Sequence, residues 1–218
     1  HMTTPLYPQM LKNNAVMGES WGLEVPLWFA PSKQEAHDIV SFHRSNDFEH
    51  VGREVCAVRS SVGITEIANF AKYQVRGKGA AAFLSNLMTN RLPAKGRIVL
   101  TPMLNSLGKI IGDFTIARAE EERFMIWGSQ SAQVYHMRWF EQHQPDDGSV
   151  EIICFDQNIV GLSIAGPYSR QVLQKLCDED VSSDSLKFMD YRELDVARVP
   201  CVVNRLTYTG DLGFELWV

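Results

Sequence analysis

No hydrophobic run in this 218-residue sequence approaches the roughly 20 residues that a membrane-spanning helix needs, so no transmembrane segment is expected. A cationic excess is also missing. Lys and Arg number 21 against 26 Asp and Glu, a formal net charge of −5, which argues against a nucleic-acid surface. Cysteine is scarce and scattered: Cys56, Cys154, Cys177 and Cys201 include no Cys-x-x-Cys pair. That spacing reads as reduced, intracellular thiols rather than a disulfide framework or a zinc site. There is no Gly-x-Ser-x-Gly elbow, no cysteine in a nucleophile motif, no internal repeat and no low-complexity tract. His37, His43, His50, His136 and His143 never fall at i, i+3 or i, i+4, so they read as surface or core histidines and no metal is expected.

One phosphate-binding pattern is present and incomplete. Gly77-Lys-Gly79-Ala-Ala-Ala82 fits the dinucleotide fingerprint, but no acidic residue between Glu66 and Asp113 could hold a ribose. A plain strand-to-helix turn is the better account. Glu120-Glu-Glu122 is a solvated charge run at a turn.

Hydrophobic residues make up 45% and charged residues 22%, an ordinary globular balance with ample material for a core. His1-Met2 reads as a tag remnant. Residues 3–46 carry Pro5, Pro8, Pro26 and Pro31 among Trp21, Trp28 and Phe29, which reads as an irregular leader wrapped on a neighbouring surface. A first subdomain is expected over 47–148. It holds helices from Asp47 to Ser61 and Gly79 to Asn90, with Asp47 as a cap and extended chain from Ile64 to Arg76. Strands from Arg97 to Asn105 and Ile110 to Arg118 join as a hairpin through Ser106-Leu-Gly108, before a strand near Arg123 to Trp127 and a helix from Ser129 to Gln142. Pro145-Asp-Asp-Gly148 marks a turn. A second, incomplete subdomain over 149–218 holds a strand (Ile159 to Ala165), a helix opened by Pro167, and three extended stretches, the last near Phe214 to Val218. The fold class is α+β, with antiparallel sheets and flanking helices. Because the chain stops inside a strand, it reads as a fragment.

Tyr208-Thr-Gly-Asp-Leu-Gly-Phe-Glu215 holds a turn between two strands, flanked by an aromatic ring and a carboxylate. An aromatic plate beside a carboxylate suits a flat, donor-bearing heterocycle such as a pterin, whose 2-amino group and N3–H form a paired donor edge. On the residues alone, a plain hairpin with a solvent-facing Glu215 is an equally good account.

This stretch resembles the Tyr-x-Gly-Glu-x-Gly-Phe/Trp-Glu motif of the glycine cleavage T-protein (aminomethyltransferase) family, with Asp211 in place of the usual first Glu. Further segments resemble, in the same order, the branch fused behind a flavin oxidase, the dimethylglycine and sarcosine dehydrogenases and their relatives. They are Gly18-Glu-Ser-Trp-Gly22 with Trp28-Phe-Ala30, Ser41-Phe-His-Arg44, Thr89-Asn-Arg-Leu-Pro93, Met103-Leu-Asn105, Asp113-Phe-Thr-Ile116 and Leu162-Ser-Ile-Ala-Gly-Pro167. The likeness covers nearly all of residues 5–218.

The resemblance implies a T-protein-like folate-binding fold, truncated before its C-terminal domain, that holds tetrahydrofolate in a central channel. Tyr208 and Glu215 are implied to bind the pterin, and Phe70 to line the channel, although a core phenylalanine explains Phe70 equally well. Asp113 is implied to be the catalytic acid near the folate nitrogens, accepting the proton released when a one-carbon unit is captured, a contribution of about 10²–10⁴-fold. Its neighbours Ile110, Ile111 and Phe114 suggest an apolar setting that would raise its pKa. Without the resemblance, pairing with a nearby Arg is as good a reading. The implied function is trapping a carbon from an N-methyl amine as 5,10-methylenetetrahydrofolate, with FAD confined to a domain outside this chain. The isolated chain is expected to be inactive, in a cytoplasmic or mitochondrial-matrix setting. The alternatives are a non-catalytic folate-binding or interaction module, or a free-standing aminomethyltransferase.

Overall fold

The computed structural model describes residues 1–218. The segment expected to be irregular opens with α1 (Tyr7–Lys12), in whose first turn Pro8 sits where a missing N–H is harmless. A two-stranded ribbon follows, β1 (Ala15–Ser20) and β2 (Leu23–Phe29), closed by Trp21-Gly22. The irregular reading of 3–46 is therefore corrected over 7–29. Pro26 is tolerated in β2 because the ribbon has no further strand to pair with and its register shifts opposite. Helix α2 (Phe48–Ser60) forms as expected, but Asp47 bonds the Ser45 hydroxyl and caps no helix N–H. Trp28 holds ribbon and helix together. It is buried, its ring stacks on His50 at 5.2 Å, and its indole N–H donates to Asp38 at 3.0 Å.

The extended stretch expected from Ile64 to Arg76 divides into β3 (Gly63–Glu66) and β4 (Phe70–Arg76). Then come α3 (Ala80–Leu87), β5 (Ile98–Leu104), β6 (Ile110–Glu120), β7 (Arg123–Ser129) and α4 (Gln133–His143). The hairpin between β5 and β6 turns where expected, with the Asn105 side-chain oxygen accepting from the N–H groups of Leu107 and Lys109. The remainder is β8 (Glu151–Cys154), β9 (Gly161–Ala165), α5 (Ser169–Gln174), β10 (Tyr191–Val196), β11 (Val199–Asn204) and β12 (Gly213–Trp217). Strand β8 was not anticipated, since four residues straight after a turn carry no readable alternation.

Two five-stranded sheets result, in the orders β5-β6-β7-β4-β8 and β10-β11-β12-β9-β3, and every pairing is antiparallel. Strand alternation sorts their side chains into three apolar layers. Tyr73, Phe114, Ile116, Phe124 and Ile126 pack under α3 and α4 on the outside of the first sheet. Ile164, Val203, Phe214 and Leu216 pack with Leu173 of α5 on the outside of the second. Between the sheets lie Ile98, Ala117, Met125 and Trp127 from one, and Tyr191 and Trp217 from the other.

The expected division at 148/149 does not follow these sheets. Strand β3 precedes it yet pairs with β9, and β8 follows it yet pairs with β4. Each half thus lends a strand to the other's sheet.

The glycine-rich turn at 77–82 is filled by the chain itself. Gly77 has φ +114°, and a Cβ there would lie 2.3 Å from the Ser149 carbonyl oxygen. The Gly79 N–H donates to that same oxygen at 3.0 Å. Gly77→Ala combines a left-handed backbone with a backbone clash, and is expected to cost about 2–4 kcal/mol. Urea unfolding would measure this, and a loss below about 1 kcal/mol would contradict the close approach described.

Candidate functional site

A cleft of about 580 Å³ opens on the seam between the sheets. Phe70, Asp113, Tyr208 and Glu215 all line it, although they come from three separate stretches of chain. Its charged residues are Asp113 and Glu215 alone, so the lining is acidic.

Glu215 is the deepest of the four. It lies on β12, opposite Ser163 of β9 and Asn204 of β11, and only 8% of it is exposed. Burial disfavours the charged form and pushes its carboxyl up to about 7, against a partial opposing effect from the Asn204 amide and the Trp217 indole. Both groups lie near that carboxyl but fall short of full hydrogen-bond geometry, so neither is satisfied. Trp127 Nε1 on β7 and Gln130 Oε1, both of residues lining the cleft, are likewise buried and unpartnered. An unpaired buried polar group costs about 1–3 kcal/mol, and several at one cleft are what a site completed by a polar ligand requires.

Asp113 does not sit in the expected apolar setting. Phe114 and Ile111 belong to the layer on the other side of the sheet, and Ile110 is itself exposed. Alternation along β6 leaves the Asp113 side chain exposed on the cleft side. It forms no ion pair, so pairing with an arginine is not the explanation for it. Phe70 is half-buried and meets Trp217 edge to face at 6.3 Å, so it is at once a core residue and a cleft wall.

Tyr208 lies in the β11–β12 connection, not at a strand end, and is 90% exposed on the cleft rim. The turn around it is closed by the Thr207 hydroxyl donating to the Asp211 carbonyl at 2.8 Å. Glu215 does not face solvent, and Tyr208 does not pack on the sheet. No group of three or more His, Cys, Asp and Glu residues is arranged to hold a metal ion. His136 is a core residue: it is 1% exposed, 3.0 Å from the Tyr73 hydroxyl, and burial lowers its pKa to about 4.

Four residues in the cleft or beside Glu215 were not anticipated. Trp217 shares a face with Glu215 by simple alternation, so the period-two pattern could have found it. Asn204 and Trp127 depend on cross-strand register and sheet stacking, which leave no local mark. Trp21 reaches the rim from the tip of the N-terminal ribbon, far away in sequence.

Residues 6–218 match the family described as the GCVT N-terminal domain. The chain is 33% identical to the mitochondrial dimethylglycine dehydrogenase of Mus musculus over 95% of its own length, which is 24% of that protein. It is 28% identical to an aminomethyltransferase of Anoxybacillus flavithermus over 98% of its length, or 53% of that protein. Its fold superposes on the crystal structure of the glycine cleavage system aminomethyltransferase T from Bartonella henselae with a TM-score of 0.80, at 24% identity, covering 100% of this chain and 53% of that one. The chain thus spans between a quarter and about half the length of these relatives. The mixed helices and antiparallel sheets expected from sequence are those of this fold.

The carboxyl of Glu215 ties stability to pH. Its folded value lies above the unfolded one, so the stability it contributes is fully present below 4.5 and is lost as pH rises through about 7. Glu215→Gln keeps the neutral form at every pH. Urea unfolding at pH 5 and pH 8 is expected to show the variant within about 1 kcal/mol of the parent at the lower pH. At the higher pH it should exceed the parent by up to about 3 kcal/mol. A difference independent of pH would show that Glu215 is not desolvated.

Proposed function

Because the chain belongs to the GCVT N-terminal domain family, we propose that its cleft binds tetrahydrofolate and takes part in transfer of a one-carbon unit. The observation that carries this reading is Glu215, a buried carboxyl of near-neutral pKa, in a cleft where the Trp127 indole N–H is buried and unpaired.

The residues fit a reduced pterin on three counts. Glu215 as a carboxylate can accept both hydrogen bonds of a paired donor edge, and pairing favours its charged form at neutral pH. The unpartnered amide of Asn204 and indole N–H of Trp217 offer donors beside it. Phe70 and Trp127 wall the cleft with ring surface, and Tyr208 on the rim adds another ring for a flat heterocycle.

Tetrahydrofolate would supply the nitrogen nucleophile that captures the carbon. Asp113 then acts as the proton acceptor for that step. An exposed carboxylate with no ion-pair partner is free to approach a reacting nitrogen and to stabilise positive charge near it. The two acids divide the work by environment: Glu215, desolvated, holds and orients, while Asp113, accessible, moves the proton.

The carbon donor is an N-methyl amine oxidised at an FAD domain of a larger parent, a setting supported by the resemblance to dimethylglycine dehydrogenase over nearly the whole chain. The product is 5,10-methylenetetrahydrofolate, made in the cytoplasm or, in a eukaryotic source, the mitochondrial matrix. The chain by itself is expected to turn over little.

The test is Asp113→Ala in the parent enzyme, with binding by calorimetry and methylenetetrahydrofolate formation both measured. Binding should stay within about threefold, while formation falls by about 10²–10⁴-fold. Unchanged formation would sink the catalytic reading and leave a folate-holding module.

A further inference from the structure

The β1–β2 ribbon turns through two residues, Trp21 and Gly22, because Ser20 pairs directly with Leu23. Both have positive φ, +53° for Trp21 and +85° for Gly22. This is the backbone of a type I′ turn, whose first position is ordinarily Asn, Asp or Gly, the residues that enter the left-handed region at least cost. A tryptophan there is strained by its backbone, and it gains little from burial, being 69% exposed.

The ribbon carries this ring to the rim of the cleft. Leu100 and Tyr208, 54% and 90% exposed, stand on the same rim. The cleft is thus polar below, where Glu215 and the unpaired donors lie, and apolar at its mouth. A run of exposed large apolar side chains around one opening is costly in water and marks a surface that something covers.

We infer that Trp21 is a ligand-contacting residue whose indole stacks on the aromatic part of the bound folate where it leaves the cleft. This rests on the folate reading proposed above. A folate carries a pterin with the donor edge that Glu215 suits, followed by a planar aryl amide. With the pterin edge against Glu215 at the floor, the aryl group is the part that reaches the mouth. Trp21 meets it from the N-terminal ribbon and Tyr208 from the β11–β12 connection. Neither ring is held by surrounding core, so both are free to settle on a flat partner. An aromatic pair contributes about 0.5–1.5 kcal/mol, a factor of roughly 2 to 12 in affinity.

The strained turn makes a sharp test, because stability and binding should move in opposite directions. Trp21→Asn places a turn-favouring residue at the tip, and its Tm should equal or exceed that of the parent chain. Its Kd for tetrahydrofolate by calorimetry should rise by about threefold to tenfold, and Trp21→Phe should recover most of the loss. Glu215→Gln is measured alongside. If Trp21→Asn binds as tightly as the parent while Glu215→Gln loses affinity, the stacking role is overturned and the folate reading stands. A loss of affinity accompanied by a fall in Tm would assign Trp21 a structural role and also overturn it. If the unmodified parent enzyme shows no binding, the folate reading fails and this inference with it.

Discussion

The two sheets meet through the indoles of Trp127 and Trp217, whose rings lie 5.7 Å apart at a tilt of 32°. Phe70 closes the same contact edge to face. Rings of this size hold the sheet faces apart where they cross, and the space beside them becomes the cleft. The same residues thus supply cohesion between the layers and the walls of the site. Backbone hydrogen bonds reinforce the seam at the opposite end of the strands: Ile98 N–H donates to the Met189 carbonyl at 2.8 Å, and Tyr191 N–H to that of Gly96 at 2.9 Å.

The exchange of β3 and β8 between the halves has a related consequence. Because each sheet contains a strand from the other half, neither can form without long-range pairing. The cleft between them is assembled only when both are complete. Residues from the N-terminal ribbon, β4, β6, β7 and β12 converge there on rigid strands, which suits a site that must hold its geometry. Two carboxylates of similar intrinsic acidity end in opposite environments. Glu215 sits on the central strand of its sheet between β11 and β9, and Asp113 faces the open cleft from β6. Placement on the sheet, and nothing in the side chains themselves, separates the two.

Much of the local structure was legible. The helix expected from Asp47 to Ser61 is α2, Ser106-Leu-Gly108 marked the β5–β6 hairpin, and Pro167 preceded α5. The failures share a cause. The ribbon at 15–29 was hidden by prolines that happen to occupy tolerated positions. Strand β8 was too short to show a period, and the boundary at 148/149 was drawn from a local turn that says nothing about which sheet a strand joins. Asp113 was misjudged because its apolar neighbours point to the other face, so adjacency in sequence stood in for adjacency in space.

By itself the sequence determined the element types, the α+β class and the ordered motifs that carry the family likeness, because these depend on local periodicity and residue order. Through that likeness it also singled out Phe70, Asp113, Tyr208 and Glu215, though not the geometry by which they converge. That convergence, the burial that brings Glu215 to a near-neutral pKa, the exposure of Asp113 and the arrival of Trp21 at the rim were decided by tertiary structure alone. Each depends on strand register and on the stacking of two sheets, and such pairings between distant segments leave no periodic trace in the chain.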